Sequence, residues 1–247
     1  MKNMLFIVPN NDGESVEIQR LLKANNCMFL VTQQAWGASW DGLEDEIKDK
    51  INSFEGLIYG IELQGEPLNN GINIDHHKYE NDDRSNTLSS LEQVAILINA
   101  KLSYYQKAVS DNDKGHMKLM YRNGFDNATV SLVREQDRRA QGITDEDEKA
   151  AEDAIKKIQV KNNLPIVELP HSKCATVTDR LYNKYDNLLI VCGDGELDFY
   201  GNGYICKKLH LEFGGWIGGQ LPEYGFWGKC ANDVDSIIYR IQTLLWL

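Results

Sequence analysis

Carboxylate and imidazole side chains recur along this 247-residue chain where short apolar or helical segments end. In chain order they are Asp12, Glu14, Glu62, Asp75, His76, His77 and Asp113. Carboxylate oxygens mixed with imidazole nitrogens suit Mn²⁺ or Mg²⁺ better than a metal that selects thiolates. Like charges gathered closely repel one another unless a cation neutralises them. The pattern therefore predicts a site for a divalent cation.

Each of these residues also has an ordinary structural explanation. Acidic side chains after strands are often solvated or cap helices, and Asp12 and Asp113 are candidate N-caps. An Asp-His-His triplet at 75–77 is weak evidence for a metal when taken alone. The coincidence of four separate segments that deliver such side chains is what favours the metal site.

The first part of the chain, 1–126, predicts a parallel α/β lobe that would position these residues. Apolar runs predict strands at 4–8, 27–32, 56–61 and 72–74, and apolar spacing predicts helices at 15–24, 40–52 and 89–101. Asp111, Asp113 and His116 are expected in a polar turn after the last of these helices. Ligands of an open parallel sheet bind beyond the carboxyl ends of its strands, so the candidate residues are expected at one edge.

The rest of the chain predicts a helical connector, 127–163, and a smaller α+β lobe, 164–247. The connector is expected to hold two helices joined near Gly142. The smaller lobe is expected to hold strands at 164–169, 173–178, 187–192, 197–201 and 204–213, glycine turns at 193–195 and 201–203, and a closing helix at 233–245. The glycine-rich stretch 213–228 is expected to be a loop that approaches a ligand, since ordering six glycines costs conformational entropy.

Composition and charge exclude several classes of function. The formal net charge of −11 repels polyphosphate backbones at long range, which argues against binding of long duplex nucleic acid. No apolar run approaches the roughly 18 residues of a membrane span, and the first residues do not resemble a signal peptide. The five cysteines include no CxxC pair, so a zinc ribbon and a disulfide scaffold are not expected, and Cys192 is expected to pack in the core. A cytoplasmic protein with reduced thiols is predicted.

The sequence Asn-Ile-Asp-His-His at 73–77, after a short apolar run, resembles the signature of the DHH phosphoesterase superfamily. The resemblance implies an N-terminal α/β lobe with a dinuclear metal site and a smaller C-terminal lobe that binds substrate. The stretch 213–228 is similar to the glycine-rich, substrate-contacting loop of the DHHA1-type companion domain. Asn10 stands where the family has His, and Glu14 and Glu62 stand where it has Asp.

The resemblance also implies roles for individual residues. The metal ligands, for two Mn²⁺ or Mg²⁺ ions, would be Asp12, Glu14, Glu62, Asp75, His77 and Asp113. The catalytic residues would be His76, His77 and Asp113. The residues expected to bind substrate are His171, Lys173, Arg122, Gly218 and Gly219.

Three functional hypotheses follow from these observations. The first is a metal-dependent phosphoesterase or pyrophosphohydrolase that acts on a nucleotide, a short oligonucleotide or polyphosphate through metal-activated water. The second is a non-catalytic protein that keeps the fold and senses a nucleotide or a metal, which the departures at Asn10, Glu14 and Glu62 keep open. The third is an unrelated α/β protein in which the triplet occurs by chance. The substrate and the oligomeric state stay open.

Overall fold

A computed structural model of the protein describes residues 3–79 and 82–246. The chain divides into two compact units, Met1–Gly142 and Ile143–Leu247. The division lies inside the predicted connector, and the boundaries 1–126, 127–163 and 164–247 stay a prediction. Within the described ranges, no helix is long and apolar enough to cross a bilayer.

The first unit is built on a parallel sheet with strand order β2-β1-β3-β4. Its strands and helices are β1 (Met4–Pro9), α1 (Gly13–Ala24), β2 (Met28–Thr32), α2 (Asp45–Ser53), β3 (Leu57–Ile61), β4 (Ile72–Ile74), α3 (Ser90–Leu97), α4 (Tyr104–Arg122) and α5 (Asn127–Ala140). Phe6, Ile7 and Val8 of the central β1 are fully buried, as expected of a parallel strand covered on both faces. The α/β fold class predicted from the sequence is confirmed.

Side-chain caps fix where the helices that border the candidate site begin. Asp12 caps α1, because its Oδ1 accepts the Ser15 backbone N–H at 2.7 Å. Ser89 caps α3, and the Glu92 side chain accepts the Ser89 backbone N–H in return. Asp12 and Glu14 are therefore held at the junction between β1 and α1, where their side chains are buried.

The predicted polar turn around Asp113 is wrong, because residues 104–122 form α4. The Ser, Asp, Asn and Gly residues at 110–115 favour a turn by propensity, which is why a turn was predicted. A capping box between Ser103 and Gln106 starts the helix, and Ala108, Val109 and Met120 bury one of its faces. The helix is kinked at Gly115–His116, where His116 has a φ of 55°. Asp113 thus reaches the site from a helix and not from a loop.

A close contact between Gly60 and Trp40 fixes the two strands that lead to the site. Trp40 is fully buried, and its indole Nε1–H donates to Asn73 Oδ1 in β4 at 2.7 Å. A Cβ added to Gly60 in β3 would overlap the Trp40 ring. Glycine at this position lets the indole lie against the sheet between the two strand ends.

Gly60→Ala is expected to lower the free energy of unfolding by about 2–3 kcal/mol, because the indole must move out of its packed position. Gly65→Ala is the matched control, since Gly65 has a φ of +80° and no atom within 4 Å of an added Cβ. Backbone strain alone is expected to cost the control about 1 kcal/mol. Urea denaturation of both variants measures the difference, and equal losses would contradict the packing explanation.

The second unit contains a mixed sheet with strand order β5-β6-β7-β8-β10-β9. Its strands and helices are α6 (Asp145–Ile155), β5 (Gln159–Lys161), β6 (Leu164–Leu169), α7 (Ala175–Thr178), β7 (Leu188–Cys192), β8 (Glu196–Asn202), α8 (Gly203–Phe213), β9 (Trp216–Gln220), β10 (Tyr224–Cys230) and α9 (Val234–Leu244). One core contains residues of α8 and α9, and another contains residues of α6 and α7. The smaller α+β lobe predicted from the sequence has this sheet as its centre.

Two strands predicted in the second unit are helices. The stretch 173–178 contributes α7, and the stretch 204–213 lies in α8. Ile205, Cys206 and Leu209 bury the inner face of α8 at helical spacing. The predicted hairpin turn at 201–203 is also wrong, because Asn202 caps α8 through its Oδ1.

The predicted ligand-approaching loop at 213–228 is largely a β-hairpin made by β9 and β10. Close packing inside the protein accounts for several of these glycines, whereas approach to a ligand was expected from the sequence. A Cβ on Gly218 would lie 2.5 Å from the Phe226 ring, and one on Gly228 would overlap Trp216. Gly219 has a φ of +96°, in the region that glycine favours.

Candidate metal centre

Four of the predicted site residues meet in the first unit. Ligand atoms of Glu62, His76, His77 and Asp113 all lie within 4.8 Å of one another. His76 Nε2 lies 3.4 Å from Glu62 Oε1 and contacts Asp113 Oδ2. His77 Nδ1 lies 3.8 Å from Glu62 Oε1. These residues are called the four-residue cluster below.

The sheet topology brings most of this cluster to one edge. Because β1, β3 and β4 are neighbours and parallel, the segments that follow them emerge on the same side. Glu62 directly follows β3 in a left-handed conformation, with a φ of 51°, and its backbone N–H donates to Ile74 O at 2.9 Å. His76 and His77 follow β4, whereas Asp113 comes from the middle of α4.

Asp12 and Glu14 add two buried carboxyl groups beside the cluster. Burial and then the Glu62 carboxylate raise the pKa of Asp12 to about 7. Burial and then the carboxylates of Asp113 and Glu62 raise the pKa of Glu14 well above its ordinary value. Two carboxylates about 4 Å apart repel by roughly 4 kcal/mol at an effective dielectric constant near 20. Crowding of this kind keeps protons on the carboxyl groups unless a cation replaces them.

His76 carries the countercharge in the absence of a metal. Burial by itself lowers the pKa of this imidazole, but Asp113 and Glu62 outweigh burial and raise it to about 10. The protonated ring therefore offsets part of the negative charge around it. A bound cation would take over this electrostatic role and displace the proton.

Atoms without partners provide a direct test of whether these residues fit a metal. Within residues 3–79 and 82–246, the buried atom Glu14 Oε2 has no hydrogen-bond partner, whereas buried His76 Nε2 and Asp113 Oδ2 contact each other as an ion pair. Buried polar atoms normally have a partner, so this carboxyl oxygen beside the crowded carboxylates indicates a missing ligand. Carboxylate oxygens together with imidazole nitrogens are donors that suit Mn²⁺ or Mg²⁺. The residues present fit a divalent cation.

Asp75 lies next to the cluster with its oxygens already engaged. Its Oδ1 accepts the backbone N–H groups of His76 and His77 at 2.8 and 2.9 Å, and it lies 3.0 Å from His77 Nδ1. Its Oδ2 accepts the Tyr79 hydroxyl at 3.0 Å. In this arrangement Asp75 orients the His77 ring, and its role as a metal ligand stays a prediction.

Several supporting residues were missed by the sequence analysis. Arg84 Nη1 donates to Leu63 O at 2.7 Å and lies 3.4 Å from Asp75 Oδ2. The Ser90 hydroxyl donates to Glu62 Oε1 at 2.8 Å. Asp137 Oδ1 accepts the backbone N–H of Gly13 at 2.9 Å. Only Arg84 could have been found from the sequence, because it lies a few residues after the Asp-His-His triplet. Ser90 and Asp137 lie further from the triplet along the chain.

The residues predicted to bind substrate lie outside this cluster. Arg122 is the last residue of α4, and Gly218 and Gly219 lie in β9. His171 and Lys173 lie together in the second unit, where both contact Asp147. Lys173 Nζ is 2.6 Å from Asp147 Oδ2, and His171 Nε2 is 3.0 Å from Asp147 O.

Comparison with known proteins finds solved structures of similar fold, of which three are described here. No protein-family model matches the chain, and no curated protein matches it. The chain is similar to an exopolyphosphatase-related protein from Bacteroides fragilis, with 13% identity and a TM-score of 0.55 over 100% of this chain and 94% of that one. It is also similar to PggH, a pGpG-specific phosphodiesterase from Vibrio cholerae, with 13% identity and a TM-score of 0.52 over 99% of both chains.

The third structure is RecJ from Thermus thermophilus in complex with Mn²⁺. It shares 10% identity and a TM-score of 0.53, over 98% of this chain and 52% of the RecJ chain. These likenesses concern the fold, and at that level they confirm the resemblance carried by the Asp-His-His triplet. The chain therefore has the fold of the DHH phosphoesterase superfamily.

Proposed function

We propose that this protein is a metal-dependent hydrolase of phosphoric esters or anhydrides that acts on a small anionic substrate. The observation that carries the proposal is the four-residue cluster, in which two carboxylate oxygens and two imidazole nitrogens lie within 4.8 Å of one another beside the partnerless Glu14 Oε2 in the described part of the chain. The similar folds of a pGpG-specific phosphodiesterase and of RecJ bound to Mn²⁺ support it.

The metal would be held by the four-residue cluster, with Asp12 and Glu14 completing a centre for two Mn²⁺ or Mg²⁺ ions. Such ions lower the pKa of a bound water and neutralise charge on phosphate oxygens. The protein's own residues set the orientation of the donors. Asp75 fixes the tautomer and direction of the His77 ring, and the Ser90 hydroxyl fixes one oxygen of Glu62.

The proposed substrate is a nucleotide, a short oligonucleotide or polyphosphate. A net charge of −11 supports a small diffusible substrate over a long duplex, since the acidic surface disfavours extended polyphosphate. His171, Lys173 and Arg122 are proposed to contact its phosphate groups, together with the backbone at Gly218 and Gly219. Salt-sensitive attraction by Lys173 and Arg122 would offset the long-range repulsion.

The proposal is tested by a hydrolysis screen of pGpG, short single-stranded oligonucleotides and polyphosphate in the presence of Mn²⁺. Turnover of at least one substrate is expected, together with complete loss on addition of a chelator. His77→Ala is expected to lower kcat/KM by at least roughly a hundredfold, because a cluster imidazole is removed. His210→Ala removes an exposed imidazole of α8 and is expected to leave the rate unchanged.

Non-catalytic sensing of a nucleotide or a metal is the alternative, and one observation favours it. Asn10, which stands where the family has His, is exposed, and its Oδ1 accepts from Gln19 Nε2 at 3.4 Å. It contributes no atom to the four-residue cluster. Stabilisation by Mn²⁺ or by a nucleotide without turnover of any substrate in the screen would support this alternative and contradict the hydrolase.

A further inference from the structure

A second group of potential metal ligands lies in the second unit. Cys174, Cys192 and Asp198 are all buried, and one ligand atom from each lies within 4.8 Å of the others. The two sulfur atoms are 3.6 Å apart. Asp198 Oδ2 lies 3.3 Å from Cys174 Sγ and 3.9 Å from Cys192 Sγ. We call this set the thiol–carboxylate cluster.

The sheet and one helix bring these three residues together. Cys192 ends β7, Asp198 lies in the antiparallel neighbour β8, and Ile190 stands directly opposite Asp198. Since side chains alternate along a strand, Ile190, Cys192 and Asp198 share one face of the sheet. Cys174 immediately precedes α7 and packs on this same face. Residues from three elements, distant in sequence, thus converge in the core.

The distances match those of a tetrahedral ion. Zinc binds sulfur at about 2.3 Å and carboxylate oxygen at about 2.0–2.2 Å, so tetrahedral ligands are separated by roughly 3.8 Å between two sulfurs and roughly 3.5 Å between sulfur and oxygen. The observed separations are 3.6 Å between the sulfurs and 3.3 and 3.9 Å from sulfur to oxygen. An ion fits this triangle with shifts of a few tenths of an ångström.

The surroundings of Asp198 also indicate a missing cation. Among the hydrogen bonds of the described residues, Asp198 Oδ2 accepts only from the thiols of Cys174 and Cys192. Thiols are weak hydrogen-bond donors. The buried Asp137 contrasts with it, because Asp137 accepts from the Gly13 backbone N–H and from Arg134. A buried carboxylate oxygen that meets only weak donors is costly unless its charge is neutralised.

We propose that Cys174, Cys192 and Asp198 bind a zinc-type divalent cation, separately from the centre in the first unit. Two thiolates select a borderline-soft metal, whereas the oxygen-rich first centre suits Mn²⁺ or Mg²⁺. Glu196, which lies two residues before Asp198 on the same face of β8, would orient that ligand from outside. The ion would tie the β7–β8 hairpin to the segment before α7, with its fourth position open to water.

Co²⁺ substitution tests the proposal on the whole protein. Protein stripped of metal, reduced with a phosphine and titrated with Co²⁺ is expected to gain thiolate-to-metal charge-transfer absorption and the visible bands of tetrahedral Co²⁺. The charge-transfer absorption is expected to reach the amplitude of one Co²⁺ bound by two thiolates and to disappear when Zn²⁺ is added. Since the four-residue cluster contains no sulfur, Co²⁺ bound there gives no thiolate charge-transfer absorption.

Variants then assign the ligands. Cys192→Ser and Asp198→Asn are each expected to weaken Co²⁺ binding by at least roughly tenfold, since even partners of metal ligands have effects of that size. Cys206→Ser is the matched control, because Cys206 is equally buried but lies in the other core of this unit. It is expected to bind Co²⁺ like the parent.

Two results would overturn the proposal. One is a reduced parent protein that shows no charge-transfer absorption with Co²⁺, which needs no variant and so does not depend on whether the variants fold. The other is equal binding by the parent, Cys192→Ser and Asp198→Asn. If the intact mass of the isolated protein is two hydrogens below the mass of the fully reduced chain, and the reduced form does not bind Co²⁺, Cys174 and Cys192 form a disulfide instead.

Discussion

Glu14→Gln is expected to abolish metal-dependent turnover while making the metal-free protein more stable. The Glu14 carboxyl is buried beside Asp113 and Glu62, which raise its pKa after burial itself, and its Oε2 has no hydrogen-bond partner in the described part of the chain. Glutamine keeps the acceptor that receives the Leu91 backbone N–H and presents an N–H₂ group to the neighbouring carboxylates. The substitution replaces repulsion between Glu14 and the neighbouring carboxylates by attraction. It also removes a negatively charged oxygen that a bound cation needs.

The expected size of each effect follows from the same geometry. Loss of one anionic oxygen from the centre is expected to lower kcat/KM by at least roughly a hundredfold. Relief of the buried repulsion is expected to raise the free energy of unfolding in a chelator by about 1 kcal/mol. Mn²⁺ should raise the melting temperature of the parent by mass action but leave that of the variant unchanged.

Glu17→Gln is the matched control for this experiment. Glu17 lies on the same helix and is also buried, but its oxygens contact Arg20 and Gln106. The control is expected to keep the response to Mn²⁺ and full activity, and to lose stability in the chelator. A Glu14→Gln protein that is less stable than the parent without metal, yet still stabilised by Mn²⁺, would contradict the inferred centre.

The positions of Glu62, His76 and His77 were predictable because local patterns suffice for them. An apolar run identifies β3 as a buried strand, the short Ile-Asn-Ile segment before the triplet identifies β4, and parallel strands end at a common edge. Reading the residues after each run therefore places Glu62 and the Asp-His-His triplet together. No long-range information is required beyond the order of the strands.

Asp113 and the second unit show where local patterns fail. The stretch around Asp113 is rich in turn-forming residues, yet the Ser103 cap and the buried Val109 and Met120 make it a helix. The glycines at 213–228 disfavour strands by propensity, but the rings of Phe226 and Trp216 occupy the space beside Gly218 and Gly228. Tertiary packing overrides propensity in both cases.

The thiol–carboxylate cluster was invisible in the sequence for a different reason. Metal sites are recognisable from sequence when two ligands are close neighbours, as in a CxxC pair. Cys174 and Cys192 are 18 positions apart, and Asp198 follows another 6 positions later across a hairpin. Only the pairing of β7 with β8 and the placement of α7 bring the three side chains together.

The decline of stability with rising pH is expected to weaken or reverse when Mn²⁺ is added. In a chelator, the raised pKa of Asp12 means that the folded protein holds a proton which the unfolded chain releases, so stability falls as pH rises from about 4 to about 7. A rise from 3.8 to about 7 corresponds to a loss of roughly 4 kcal/mol at most. His76, with a pKa raised to about 10, continues the decline above pH 6.5.

A divalent cation binds the deprotonated forms of these same groups. Protons and Mn²⁺ therefore compete, and the stabilisation by a fixed Mn²⁺ concentration is expected to grow as pH rises from about 5.5 to about 8. Urea denaturation at several pH values, with chelator and with Mn²⁺, measures both slopes. A decline with pH in the chelator and a smaller decline or an increase with Mn²⁺ is the expected result.

Two substitutions assign the slope to the centre. Asp12→Asn is expected to flatten the decline in the chelator between about pH 5.5 and 7, because its side chain no longer titrates. Asp147→Asn is the control, since the Lys173 ammonium and the Thr144 N–H lower the pKa of Asp147, whose titration is complete below that window. If Asp147→Asn alters the slope as much as Asp12→Asn does, or if Mn²⁺ leaves the parent's slope unchanged, the protons are not held where the metal binds.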